Sequence, residues 1–342
     1  MRTSFLVTIM AALAALAIAI SPAAAAPKKV PVVTTLNVLA SITKEIGGDR
    51  VTVTALAKPT QDPHTLVAKP TFKVAARNAK LFVELGLGLD TWASAVTDAS
   101  GNPSIQMGQP GRVVASDGIA TKELPATLSK AWGDIHPQGN PHVWLDPVNA
   151  KQLAANIAAG LARVDPDGKA IYDANLARFQ TRLDDALYGH ALVEEYGASK
   201  LERLSRRGEL IKYLQDKGTY AQLGGWLKKA EPLRGLEIVT YHKTWIYFCD
   251  RFGITIAGEI EEKPGIPPSQ SYLATLIDRI KAEGVKVLFV DTIYPQKDGA
   301  YIAGKTGAKV VASPIDVGGA PGTGDYFALI DTLVERVLAA SK

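Results

Sequence analysis

Twice along the chain, short apolar runs alternate with amphipathic stretches, and between the two series lies a long segment of helical spacing alone. From Val30 onward, VPVVTTL, VTVTALA, LFVELG and RVVAS read as strands, separated by the helical stretches LASITKEIG, FKVAARNA and WASAVTDAS. A second series begins near Leu236, where LEIVTYH, TIAGEI, VKVLFVD and KVVAS read as strands and TWIYFCDRFG, SQSYLATLIDRIKAEG and AYIAGKTG as the helices between them. Strands that alternate with helices build parallel sheets with crossover helices on their faces. The expectation is an α/β chain of two lobes of parallel sheet flanked by helices. Residues 26–147 form the first lobe, 148–188 linking helices interrupted by DPDG at Asp165 to Gly168, 189–232 a helical insertion, and 233–342 the second lobe. A long backbone helix joins the lobes and leaves a cleft between them. Gly253, Gly284 and Gly307 fall where helix C-caps are expected.

The first 25 residues read as a cleaved signal peptide. Arg2 supplies the positive end, Phe5 to Ile20 an apolar run, and SPAAAA the small residues of a cleavage site. That run is shorter than the roughly 20 residues a membrane span needs, so export to the periplasm is expected in place of anchoring. The single cysteine, Cys249, has no intramolecular disulfide partner and is expected in the core. A net charge of +4 with no basic block does not imply nucleic acid.

Two glycine motifs are decoys. GLGLDT, at Gly86 and Gly88, lacks the third glycine of a dinucleotide fingerprint. GAYIAGKT, Gly299 to Thr306, formally matches a phosphate-binding loop, but TIYPQKD separates it from the preceding strand and its interior looks like a buried helix face.

The chemistry-bearing feature is a set of three histidines far apart in sequence. His142 sits in GNPHVWLDP, where Pro141 and Pro147 stiffen the chain on either side and Val143, Trp144 and Leu145 provide an apolar anchor. His64 follows a proline in QDPHTLVAKP, and His242 ends LEIVTYH. All three lie at loops attached to strands or helix starts, where open α/β sheets assemble ligand sites. Three neutral imidazoles suit zinc especially, with copper, nickel and iron also compatible. His136 is read as visiting the metal or lining the entrance, outside the ligand set, and His190 as a solvated residue on a charged helix. HExxH and GxSxG signatures are absent.

In order and approximate spacing, PHT at 63–65, NPHVWLDP at 140–147, YHKTWIYFCDRFGI at 241–254 and PGIPPSQ at 264–270 resemble the substrate-binding proteins of zinc and manganese ABC importers, the cluster A-I family. The resemblance implies one divalent metal between the lobes, with His64, His142 and His242 as ligands. A histidine at the third position implies zinc over manganese. Its fourth ligand, an aspartate after the last strand, falls on Asp316, with Asp291 as the rival. The segment from about Gly189 to Pro232 is longer than the family's usual link. The role implied is capture, not catalysis: a monomeric periplasmic protein that delivers its ion to a membrane permease and binds less well at low pH as imidazoles take up protons. A zinc hydrolase on the same histidines, with Glu261, Glu262 or Asp316 as base, is the alternative. A third reading is a helical partner-binding surface carrying a structural metal.

Overall fold

The computed structural model describes residues 29–126, 133 and 135–342; the expected leader, residues 1–25, lies outside them, as does part of the connection before His136. In the first lobe, β1 (Val30–Thr34), β2 (Val51–Ala55), β3 (Leu81–Glu84) and β4 (Arg112–Val114) form a sheet in the order β2-β1-β3-β4, all parallel. Helices α1 (Asn37–Gly47), α2 (Pro70–Arg77) and α3 (Trp92–Asp98) cross between them. β3 is buried along its whole length, as a central strand covered on both faces must be, whereas β2 at the edge alternates.

The second lobe repeats the plan. Strands β5 (Glu237–Thr240), β6 (Thr255–Glu259), β7 (Val287–Asp291) and β8 (Lys309–Ser313) lie in the order β6-β5-β7-β8, again all parallel. Around them pack α10 (Ile246–Phe252), α11 (Gln270–Glu283), α12 (Lys297–Thr306) and α13 (Tyr326–Ser341). Gly253, Gly284 and Gly307 each cap a helix in the left-handed conformation. The phosphate-loop decoy lies inside α12, and Cys249 is buried.

Between the lobes run α4 (Pro147–Val164) and α5 (Lys169–Tyr188), joined by a 3-10 turn at Pro166–Gly168. The amine of Lys151, near the start of α4, bonds the carboxylate of Asp184, near the end of α5, at 2.9 Å, so the two helices run antiparallel. The expected strut is therefore a doubled-back pair. Short helices α6 (His190–Tyr196), α7 (Ala198–Arg206), α8 (Leu210–Asp216) and α9 (Gly225–Lys229) follow. No helix among the described residues is long and apolar enough to cross a membrane.

One buried apolar cluster runs from β1 through Val143, Trp144 and Leu145 and along α4 and α5 to Tyr326 and Leu329 of α13, so both lobes share a core. The loop carrying His142 is the seam. Trp144 donates its indole N–H to the Ile315 carbonyl at 2.7 Å, and Tyr326 donates its hydroxyl to the Trp144 carbonyl at 2.8 Å. The side chain of Asp146 caps α4 by accepting from the Val148 amide at 2.9 Å, and accepts two bonds from the Arg251 guanidinium of α10 at 2.8 and 2.7 Å. Arg251 also donates to Ser205 of α7. Asp146 and Arg251 are both buried, so removing one partner leaves an unmatched charge in the interior. Asp146→Ala is expected to lower the unfolding free energy by roughly 3–5 kcal/mol. The check is a urea denaturation midpoint that falls with an unchanged slope.

Candidate metal centre

His64 lies in a 3-10 turn, Pro63–Thr65, in the loop after β2. Asp62 Oδ1 accepts from the His64 amide at 3.0 Å and faces the ring's Nδ1 at 2.7 Å. The same device recurs at His142, where Asn140 Oδ1 accepts from the His142 amide at 3.0 Å and faces Nδ1 at 3.0 Å. In each case a proline between the two residues fixes φ and makes the turn compact. His242 follows β5, and its Nδ1 faces Glu261 Oε2, in the loop after β6, at 2.6 Å. An acceptor on Nδ1 holds the proton there, fixes the ring's orientation and leaves the Nε2 lone pair for a metal.

The three rings converge. His64 and His142 have centroids 5.2 Å apart, His64 and His242 5.3 Å, and His142 and His242 5.7 Å. One nitrogen from each lies within 4.8 Å of the other two, the one such group of metal-ligating atoms among the described residues. Nε2 of His64 and of His142 is buried without a hydrogen-bond partner. Buried polar atoms are rarely left so, and two aimed at one point mark a place for a ligand. Zinc with Zn–N near 2.0–2.1 Å sets tetrahedral ligands about 3.4 Å apart, so side-chain shifts of about 1 Å close the set around an ion.

The two buried rings are tuned in opposite directions. Burial, reinforced by the neighbouring His64, His242 and His136, pushes the His142 pKa well below the usual histidine value, which keeps its ring neutral. Burial also disfavours charge on His242, but the Glu261 hydrogen bond and the charges of Asp291, Glu261 and Asp62 outweigh it and raise its pKa.

Asp291 ends β7 with no exposed surface, and both its oxygens lack a hydrogen-bond partner. Burial lifts its pKa to about 6 against the opposing pull of His242. Thr244 and Trp245 approach closely enough to favour its charged form, although neither reaches hydrogen-bonding geometry. Asp316 has a different position. Its Oδ1 accepts from the amides of Val38 at 2.6 Å and Val317 at 2.9 Å, and its Oδ2 from the amide and side chain of Asn37, both at 3.0 Å. It thus holds the N-terminus of α1 and ties the second lobe to the first.

The remaining histidines lie outside the converging group. His136 stands 5.3 Å, centroid to centroid, from His64 and lines a cavity of about 450 Å³ that opens onto His142 and His242. His190 is exposed and faces Asp185 at 3.2 Å. Sequence reasoning missed Asp62 and Asn140, and it considered Glu261 only as a hydrolase base. The signal for the first two was present as a repeated Asx-Pro-His tripeptide, at 62–64 and 140–142.

The family model described as "Zinc-uptake complex component A periplasmic" matches residues 32–187 and 218–340. The chain belongs to this family. Its match is interrupted within the 189–232 stretch singled out from sequence. The high-affinity zinc uptake system protein ZnuA of Bacillus subtilis is 28% identical over 286 residues, 82% of this chain and 76% of its own length. The manganese ABC transporter substrate-binding lipoprotein PsaA of Streptococcus pneumoniae is 25% identical over 264 residues, 77% of this chain and 72% of its own. A crystal structure of ZnuA superposes with a TM-score of 0.68 at 23% identity, covering 92% of this chain and all of that one, a likeness of fold. Members of the zinc-uptake family are substrate-binding components of uptake systems for zinc or manganese, not enzymes.

Glu261→Ala frees the His242 ring and is expected to weaken metal binding about 10–100-fold. Calorimetric titration checks this, with the exposed neighbour Glu262→Ala expected to leave the affinity unchanged.

Proposed function

We propose that the chain captures zinc with high affinity in the periplasm, after removal of its signal peptide, and delivers it as a monomer to the permease of an ABC importer. The observation that carries this reading is the convergence of three buried imidazoles, each with Nδ1 held by an acceptor. Imidazole is a borderline ligand that suits zinc better than the harder manganese. In this reading His64, His142 and His242 bind the ion through Nε2.

The fourth ligand is better assigned to Asp291 than to Asp316. Asp291 is buried beside His242 with both oxygens uncommitted, whereas both oxygens of Asp316 are taken up by the start of α1 and the Val317 amide. The family position after the last strand thus serves here as a tie between lobes. Three imidazoles and a carboxylate close a tetrahedral shell and leave no open position for an activated water. Of the three candidate hydrolase bases, Glu261 is engaged by His242 and Asp316 by the start of α1, while Glu262 is exposed.

Metal analysis and zinc titration of the mature protein, with manganese as competitor, test the reading. One zinc per chain is expected, held far more weakly in His64→Ala, His142→Ala, His242→Ala and Asp291→Ala. Asp316→Ala is expected to keep its zinc affinity while losing thermal stability. No stoichiometric metal, or full affinity without the histidines, overturns the proposal; loss of zinc in Asp316→Ala with retention in Asp291→Ala returns the fourth position to Asp316.

A further inference from the structure

The two Asx-Pro-His turns differ in one atom that matters. Asp62 is a carboxylate, so either oxygen accepts from the ring of His64. Asn140 is an amide with an acceptor on one side only, and turned by 180° it would present its NH2 to His142 and favour the opposite tautomer. Something must therefore hold it the right way round.

Glu123 is in place to do so. Asn140 Nδ2 donates to Glu123 Oε2 at 2.7 Å and to the carbonyl of Lys243, the residue after His242. With both acceptors on the nitrogen side, Oδ1 faces the amide and ring of His142. The charged acceptor is the stronger of the two. Lys243, whose Nζ lies 3.9 Å from Glu123 Oε1, approaches the same carboxylate from the second lobe.

The backbone is arranged for this contact at some cost. Glu123 has φ of +52°, one of two non-glycine residues with positive φ among those described. Such a conformation persists only where neighbours impose it. Here the Lys122 amide donates to the Tyr247 hydroxyl at 2.9 Å, the Lys122 carbonyl accepts from the Asn140 amide at 2.8 Å, and Thr121 donates to the Gln138 carbonyl at 2.6 Å. Gly139, at φ +93°, lets the two segments lie this close, since a Cβ there would stand 2.7 Å from the Lys122 carbonyl.

We propose that Glu123 is a positioning residue for metal capture: through Asn140 it holds His142 in the tautomer whose Nε2 lone pair faces the ion. The inference rests on the assignment of His142 as a ligand, but its central claim concerns the metal-free protein and is tested there. Glu123→Gly removes the carboxylate and suits the positive φ, so folding is preserved, as thermal unfolding verifies. Long-range proton–nitrogen correlation spectra of the metal-free protein at neutral pH are expected to show His142 protonated at Nδ1 in the wild type and in Glu123→Gln, which keeps an acceptor. In Glu123→Gly a mixture of tautomers is expected, with zinc held about tenfold more weakly. Asn140→Asp, whose side chain accepts on either oxygen, removes the dependence, so Glu123→Gly on that background restores the Nδ1 tautomer and leaves zinc affinity unchanged.

An unaltered tautomer and affinity in Glu123→Gly overturn the proposal. So does an affinity loss of the same size on the Asn140→Asp background, which would assign Glu123 a general electrostatic effect on the site. A wild type with normal tautomers but no zinc binding would sink the capture function and leave the Glu123 relay standing.

Discussion

The bidentate contact between Asp146 and Arg251 fixes the loop on which the candidate metal centre depends. Asp146 lies in the same GNPHVWLDP stretch that carries His142, and its carboxylate both starts α4 and receives a guanidinium from the other lobe. Placing two charges in the interior is expensive, and their mutual bonds offset that cost only with good geometry. The result is directional. An apolar contact at this seam would tolerate sliding, whereas two parallel N–H···O bonds set one register between the loop and α10. Trp144 and Tyr326 close the seam further along, so His142 inherits its position from the lobe interface as much as from its own turn.

Much of the fold was legible because its signals are local. Strand-length apolar runs, helical spacing and the glycines at 253, 284 and 307 report on their own segments, and those segments formed as read. The strut was legible as two helices around Asp165 to Gly168, but its doubling back was not, because that depends on contacts such as Lys151 with Asp184, 33 residues away.

At the site, the three histidines were marked by loop position and proline context, and the structure brings them together. The fourth position was the hard part. Asp291 ends one strand of the second lobe and Asp316 follows another, so sequence position separates them poorly. What distinguishes them is what else competes for their oxygens: the free amides at the start of α1 engage one and leave the other alone. Glu261 was hidden for a similar reason, since it meets His242 only when β5 and β6 lie side by side.

The core shared by both lobes bears on how an ion leaves. Chains that close around a ligand by rotating two domains need an interface weak enough to part, and a large apolar one resists that motion. Here buried residues continue from one sheet to the other without interruption. If the three histidines hold the ion as proposed, its dissociation requires only the loosening of a ligand-bearing loop, an opening that costs far less than separating the lobes. On the proposed reading, a permease that engages that loop would control the timing of release without any rearrangement of the body of the protein.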